Sequence, residues 1–172
     1  MQFVVFILTY FILAFNVIGY GYFFSKNLTA YNKSPNVGYI GLYGIVFLTL
    51  ISYLTNLILK HDYSHNFIIH IIGIFLFFYY SSSIKNLKQN KEVRYLLFFL
   101  TLSITSILYF KSHDDFLYYH LSFIDNLTIN KLEFGLGNFD LAFNHVSSLF
   151  FFHSLFKLPF TENYFILLGL PL

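Results

Sequence analysis

The chain has 172 residues, of which 57% are hydrophobic and only 10% charged, with a formal net charge of +2. Soluble domains carry about 25% charged residues, so this composition excludes a water-soluble globule, and a charge so close to balance gives no footing for nucleic acid. Cysteine is absent, which excludes disulfides, thiolate metal centres and a cysteine nucleophile.

The apolar residues come in long runs, the pattern of lipid-facing helices rather than of the short alternating strands of a membrane barrel. The first run covers residues 3–24, broken only by Asn16 and the Gly19-Tyr20-Gly21-Tyr22 stretch. A secretory leader is the competing reading, but no basic residue precedes the run and no small-x-small cleavage site follows it. The second run covers residues 38–59 and opens with Gly38, Gly41 and Gly44, whose spacing suits close packing between helices. The third covers residues 66–84 with His70 inside it, and the fourth residues 93–110, where Arg94 can snorkel to the interface. The expected fold is therefore all-α, a polytopic transmembrane bundle of roughly four to six helices embedded in the lipid bilayer.

Lysine and arginine fix the expected orientation. Residues 25–37 hold Lys26 and Lys33, and residues 85–94 hold Lys85, Lys88, Lys91 and Arg94, so both segments are read as cytoplasmic. The N-terminus and residues 111–140 are then external, the latter mixing Lys111 and Lys131 with Asp114, Asp115, Asp125, Glu133 and Asp140. Three regions follow: four transmembrane helices in 1–110, an external acidic loop with an amphipathic segment in 111–140, and an amphipathic transmembrane helix plus the start of another in 141–172. In the last region Asp140, Asn144, Ser147, Ser148 and Ser154 form a polar stripe along an apolar cylinder, which suits a helix lying in the interface or, the favoured reading, one that spans with its stripe toward a wet cavity. The closing apolar run, residues 164–172, is too short to cross a bilayer. It is read as the start of a helix in a longer reading frame, with a C-terminal interfacial anchor as the alternative.

Reactive side chains concentrate in Lys111-Ser112-His113-Asp114-Asp115-Phe116-Leu117-Tyr118-Tyr119-His120. Two adjacent carboxylates flanked by two imidazoles can hold a divalent cation, or one carboxylate can accept a proton from an attacking hydroxyl. The plain alternative is solvated charge and interfacial aromatics at a helix end. Elsewhere, His61, Asp62 and His65 make an incomplete metal set and read as a solvated loop. His70 reads as a packed intramembrane residue. Gly135-Leu136-Gly137-Asn138 follows no strand and reads as a turn rather than a nucleotide loop.

Asp115-Phe116-Leu117-Tyr118-Tyr119-His120-Leu121 resembles the Asp-x-x-x-Tyr-His-Leu signature of bacterial GT-C glycosyltransferases, multi-pass enzymes that use polyprenyl-phosphate-linked sugars. Residues 113–120 together with Gly135-Leu136-Gly137-Asn138-Phe139 also resemble an uncharacterised bacterial multi-pass membrane family. The likeness covers residues 111–160. It implies hexosyl or pentosyl transfer at the external face of the plasma (inner) membrane. Asp115, with Asp114 beside it, would be the catalytic carboxylate or the metal partner, and Tyr119, His120 and His113 would bind substrate near the carrier phosphate. In that family the motif follows the first membrane helix, whereas here it follows the fourth. A non-enzymatic accessory or transport subunit of surface polysaccharide assembly is the second reading. Neither reading fixes an oligomeric state.

Overall fold

The computed structural model describes residues 2–28, 36–81, 91–108, 120–138, 140–144 and 147–158. Among the described residues the chain is all-helical: α1 (Gln2–Leu28), α2 (Val37–Asn56), α3 (Tyr63–Ser81), α4 (Lys91–Leu108), α5 (Leu121–Ile129) and α6 (Ser148–Ser154), with 3-10 turns at Leu136–Asn138 and Leu141–Asn144. Among the described residues three helices are long and apolar enough to cross a membrane, Val4–Asn27, Val37–Asn56 and Tyr63–Tyr80, with mean hydropathies of 2.0, 1.8 and 1.2. None has a polar face, because lipid is as apolar as a protein core and a spanning helix has no need of one. Their outward residues are large and aliphatic or aromatic: Leu42, Val46, Leu50 and Leu54 make one stripe along α2, and Phe67, Ile71, Phe75 and Phe78 one along α3. The protein is an integral membrane protein on this ground. In α4 the apolar stretch is Val93–Thr105, shorter than the other three, and the remainder of the fourth expected run, residues 109 and 110, lies outside the described residues.

Polar caps set the helix ends about one turn away from where the apolar runs begin and stop. The Asn36 Oδ1 accepts the Gly38 N–H at 2.8 Å and starts α2. Asp62 starts α3 in the same way, its Oδ1 accepting the His65 N–H at 3.0 Å. Asp62 is thus a helix cap rather than an idle loop charge. α1 runs past its apolar stretch because Lys26 lies over the Tyr80 ring at 4.7 Å and the Asn27 amide donates to Tyr80 Oη at 3.2 Å.

The chain divides into two compact units. In the first, which takes Met1–Leu48 and Ile69–Tyr109, α1 packs closely on both α2 and α3. A Cβ on Gly21 would meet the Ile40 carbonyl, one on Gly44 the Val17 carbonyl, and one on Gly19 the backbone at Gly73. Backbone approach this close maximises van der Waals contact where lipid removes the usual hydrophobic drive. Two buried side chains add interhelical hydrogen bonds: the Asn16 amide donates to the His70 carbonyl at 2.9 Å and the Tyr20 hydroxyl to the Ile69 carbonyl at 2.8 Å. Of the Gly38, Gly41 and Gly44 series, Gly44 alone touches a neighbouring helix; beside Gly41 there is nothing within 4 Å. Gly44→Ala should therefore lower the detergent-solubilised protein's unfolding free energy by about 1–3 kcal/mol, the usual cost of overpacking. Gly41→Ala, with open space for the methyl group, should raise it by up to about 1 kcal/mol through helix propensity, and equal melting temperatures for the two variants would refute the packing account.

The second unit takes Thr49–Ile68 and the described part of Phe110–Gly169. Its core is Phe123, Ile124 and Leu127 of α5 against Phe150 and Phe151 of α6, with Tyr53, Leu132 and Phe143 closing the sides. Tyr53 stacks on Phe151 at 3.8 Å between ring centroids. The single amphipathic spanning helix expected over residues 141–158 is not formed. The Leu141–Asn144 turn and the seven-residue α6 take its place, and α6 is far too short to cross a bilayer. The polar residues read as a stripe are what break it: Ser147 is extended and its hydroxyl caps α6 through the Leu149 N–H. The Asn144 side chain instead lies against Gly137.

Candidate functional site

Of the residues assigned to a site from sequence, His113, Asp114, Asp115 and Tyr119 lie outside the described residues. His120 is described. It sits at the start of α5, half-buried, with its ring 4.9 Å from that of Phe150. Among the described residues no three His, Asp or Glu side chains converge as a metal site.

The structure brings together a polar knot that hydropathy reading misses. His61 is fully buried, not solvated. Its Nδ1 lies 2.6 Å from Ser154 Oγ and its Nε2 3.1 Å from Thr55 Oγ1. The Ser154 hydroxyl also donates to the Phe151 carbonyl at 2.7 Å and the Thr55 hydroxyl to the Ile51 carbonyl at 2.9 Å, so both ring partners are themselves tied to backbone. Burial, and then the His65 ring stacked at 4.7 Å, push the His61 pKa down to about 3 from its ordinary 6.5. His61 is thus a neutral structural imidazole. The Asn66 amide donates to the carbonyls of His61, Ser154 and Lys157 at 3.0, 2.8 and 2.9 Å, and the Asn56 amide to the Leu127 carbonyl at 3.1 Å. The Ser52 hydroxyl donates to the Phe151 carbonyl. Lys157 Nζ meets Asp125 Oδ1 at 2.7 Å and Thr128 Oγ1 at 3.1 Å, half-shielded from solvent. Asn56 and Asn66, amides set beside apolar runs, were the signal for this knot.

Beside the same core lies a cavity of about 330 Å³ whose lining includes Tyr53, Phe123, Phe134, Phe143, Phe151 and Glu133. One wall is the turn expected at Gly135-Leu136-Gly137-Asn138: the Asn138 N–H donates to the Gly135 carbonyl at 2.9 Å, and Gly135 holds a φ of 87°, which side-chain-bearing residues rarely adopt. The Leu132 N–H anchors that wall to the Asn56 carbonyl at 2.9 Å.

A family model described as Domain of unknown function (DUF8201) matches residues 1–171. No curated protein and no solved structure matches the chain. Since the family model covers nearly the whole sequence, the chain belongs to the DUF8201 family.

Proposed function

We propose that the protein is a membrane glycosyltransferase of the GT-C kind, moving a hexosyl or pentosyl unit from a polyprenyl-phosphate carrier to an acceptor at the external face. The observation that carries this reading is the Asp115-x-x-x-Tyr119-His120-Leu121 signature following an apolar helix. The span-length helices support it, because a polyprenyl carrier resides in the bilayer. In this reading Asp115 takes the acceptor hydroxyl's proton as that oxygen bonds to the anomeric carbon. The bond from the anomeric carbon to the phosphate oxygen breaks, and polyprenyl phosphate leaves. Tyr119, His120 and His113 hold the carrier phosphate. Asp114 and Asp115 would instead hold a divalent cation if transfer stops on chelation and returns with added magnesium or manganese. The direct test is loss of transfer in Asp115→Asn. A wild-type protein that releases no polyprenyl phosphate from any such sugar donor would turn the reading to an accessory or transport subunit.

The reading also requires the acidic segment to be external. The chain contains no cysteine, so single substitutions report cleanly. Asn130→Cys, an exposed position after α5, should react with a membrane-impermeant maleimide in intact cells. Lys88→Cys should react only after permeabilisation, as the lysine and arginine asymmetry requires. The reverse pattern would place Asp115 on the cytoplasmic side and end the proposal.

A further inference from the structure

We infer that α5, α6 and the turns between them lie in the head-group and upper acyl layer of the bilayer, with Phe134 and Leu141 held against lipid chains rather than water. The inference does not depend on glycosyl transfer. It rests on where the two short helices are fastened. Of the membrane-crossing segments, that of α2 ends at Asn56 and that of α3 begins at Tyr63, so residues one turn inside those ends lie at the edge of the hydrocarbon. α6 is fixed to both helices at that level. Tyr53 of α2 stacks on Phe151, and the Ser52 hydroxyl donates to the Phe151 carbonyl. Asn66 of α3 donates to the Ser154 carbonyl at 2.8 Å and to the Lys157 carbonyl at 2.9 Å. α5 is fixed at the helix end itself, where the Leu127 carbonyl accepts from the Asn56 amide at 3.1 Å and the His61 N–H at 3.0 Å.

The Leu127, Phe151 and Ser154 carbonyls belong to the last turns of α5 and α6, where a helix leaves such groups without an internal partner. Short helices persist at the edge of the hydrocarbon only where protein groups replace the missing water, and side chains of the two spanning helices do so here. The same bonds would serve a core in water, so the outer surface decides between the two. Phe134 is 85% exposed and Leu141 77%. Phe134 borders the cavity that Tyr53 also lines, and Leu141 opens the 3-10 turn whose Phe143 and Asn144 line it. The Leu132 N–H ties this stretch to the Asn56 carbonyl at 2.9 Å. Exposed rings and leucines are unfavourable in water and at ease in lipid, and the lipid-facing stripe of α2 reaches this level through Leu50 and Leu54. Asn130, Lys131 and Glu133 are exposed as well, which limits the depth. An interfacial layer takes apolar and charged side chains together, and the deeper hydrocarbon does not.

The chain contains no tryptophan, so one introduced tryptophan reports its own surroundings. The protein is reconstituted in phosphatidylcholine vesicles whose acyl chains carry bromine near the ester end, near the methyl end, or not at all, with iodide as the aqueous quencher. Phe134→Trp and Leu141→Trp should be quenched severalfold more by ester-end bromine than by iodide. Leu50→Trp, about 9 Å deeper than Asn56 at a rise of ~1.5 Å per residue, should respond more to methyl-end bromine and so calibrates the depth. Asn130→Trp should respond to iodide and little to either bromolipid. Iodide quenching of Phe134→Trp or Leu141→Trp to the level of Asn130→Trp would put the surface in water and overturn the inference. Insensitivity of both to bromine and iodide alike would overturn it too, because protein, a second copy or another chain, would then cover the surface. If an indole disturbs the turns, a nitroxide on Phe134→Cys reads the same depth in a chain without other cysteines. Greater accessibility to dissolved oxygen than to a water-soluble nickel chelate is then expected, and the reverse order refutes the placement.

Discussion

Asp115→Asn is expected to lower transfer from a polyprenyl-phosphate sugar by about 10²-fold or more, the scale on which a general base contributes. The substitution keeps the shape of the side chain and removes both its charge and its affinity for a proton. The melting temperature should not move, because in this reading the carboxylate serves the reaction and not the fold. Asp125→Asn gives the contrast. Asp125 lies on the same polar segment but is tied to Lys157 at 2.7 Å with both side chains half-shielded. Its loss leaves a shielded ammonium without its charge partner and with the Thr128 hydroxyl in its place, so stability should fall by about 1–3 kcal/mol. Transfer per folded molecule should hold. Full activity in Asp115→Asn would remove the catalytic assignment. Parallel losses of transfer in both variants, at matched folded fraction, would mean that the segment acts through general acidity and not through one residue.

The spanning helices were legible because a bilayer imposes one requirement, about 20 consecutive apolar residues, which α1, α2 and α3 meet without relying on distant partners. Their ends were less legible. Asn36 and Asp62 cap α2 and α3 outside the apolar runs, and residues 57–59 leave α2 as the Asn56 amide turns to Leu127. The second unit was largely hidden. His61 and Ser154 are partners across 93 positions of sequence, and no local pattern announces that a histidine in a short polar loop will be buried. The Ser and Asn residues of 141–158 fit a helical stripe by spacing, but their side chains compete for backbone groups and end helices as readily as they decorate them. In the candidate site His120 can be compared with the expectation, and it is packed on Phe150 through an aromatic contact that the signature itself does not encode.

The buried imidazole makes the protein acid-sensitive in a defined window. An unfolded chain protonates His61 near its ordinary 6.5, whereas the folded chain holds it neutral down to about 3. Between those values the unfolded state binds the extra proton, so stability falls as the pH falls and is regained as it rises, by about 1.4 kcal/mol per pH unit from this residue. Above 6.5 neither state is protonated and the contribution is flat. Bringing the protein from pH 7.5 to 4.5 should therefore cost roughly 2–3 kcal/mol through His61, seen as a lower melting temperature in detergent. Burial is the larger cause of the shift and repulsion from His65 the second, with a backbone hydrogen bond at Ser52 opposing both. His61→Gln removes the titrating group while its amide can still bond to Ser154 or Thr55. At pH 7.5 that variant should be less stable by about 1–3 kcal/mol, since the glutamine cannot meet both the buried Ser154 hydroxyl and the part-buried Thr55 hydroxyl as the imidazole does. Its further loss on acidification should be smaller than wild type by the His61 share. If the wild-type and His61→Gln melting temperatures fall in parallel from pH 7.5 to 4.5, the acid sensitivity resides in other groups and His61 is not held neutral by the knot around it.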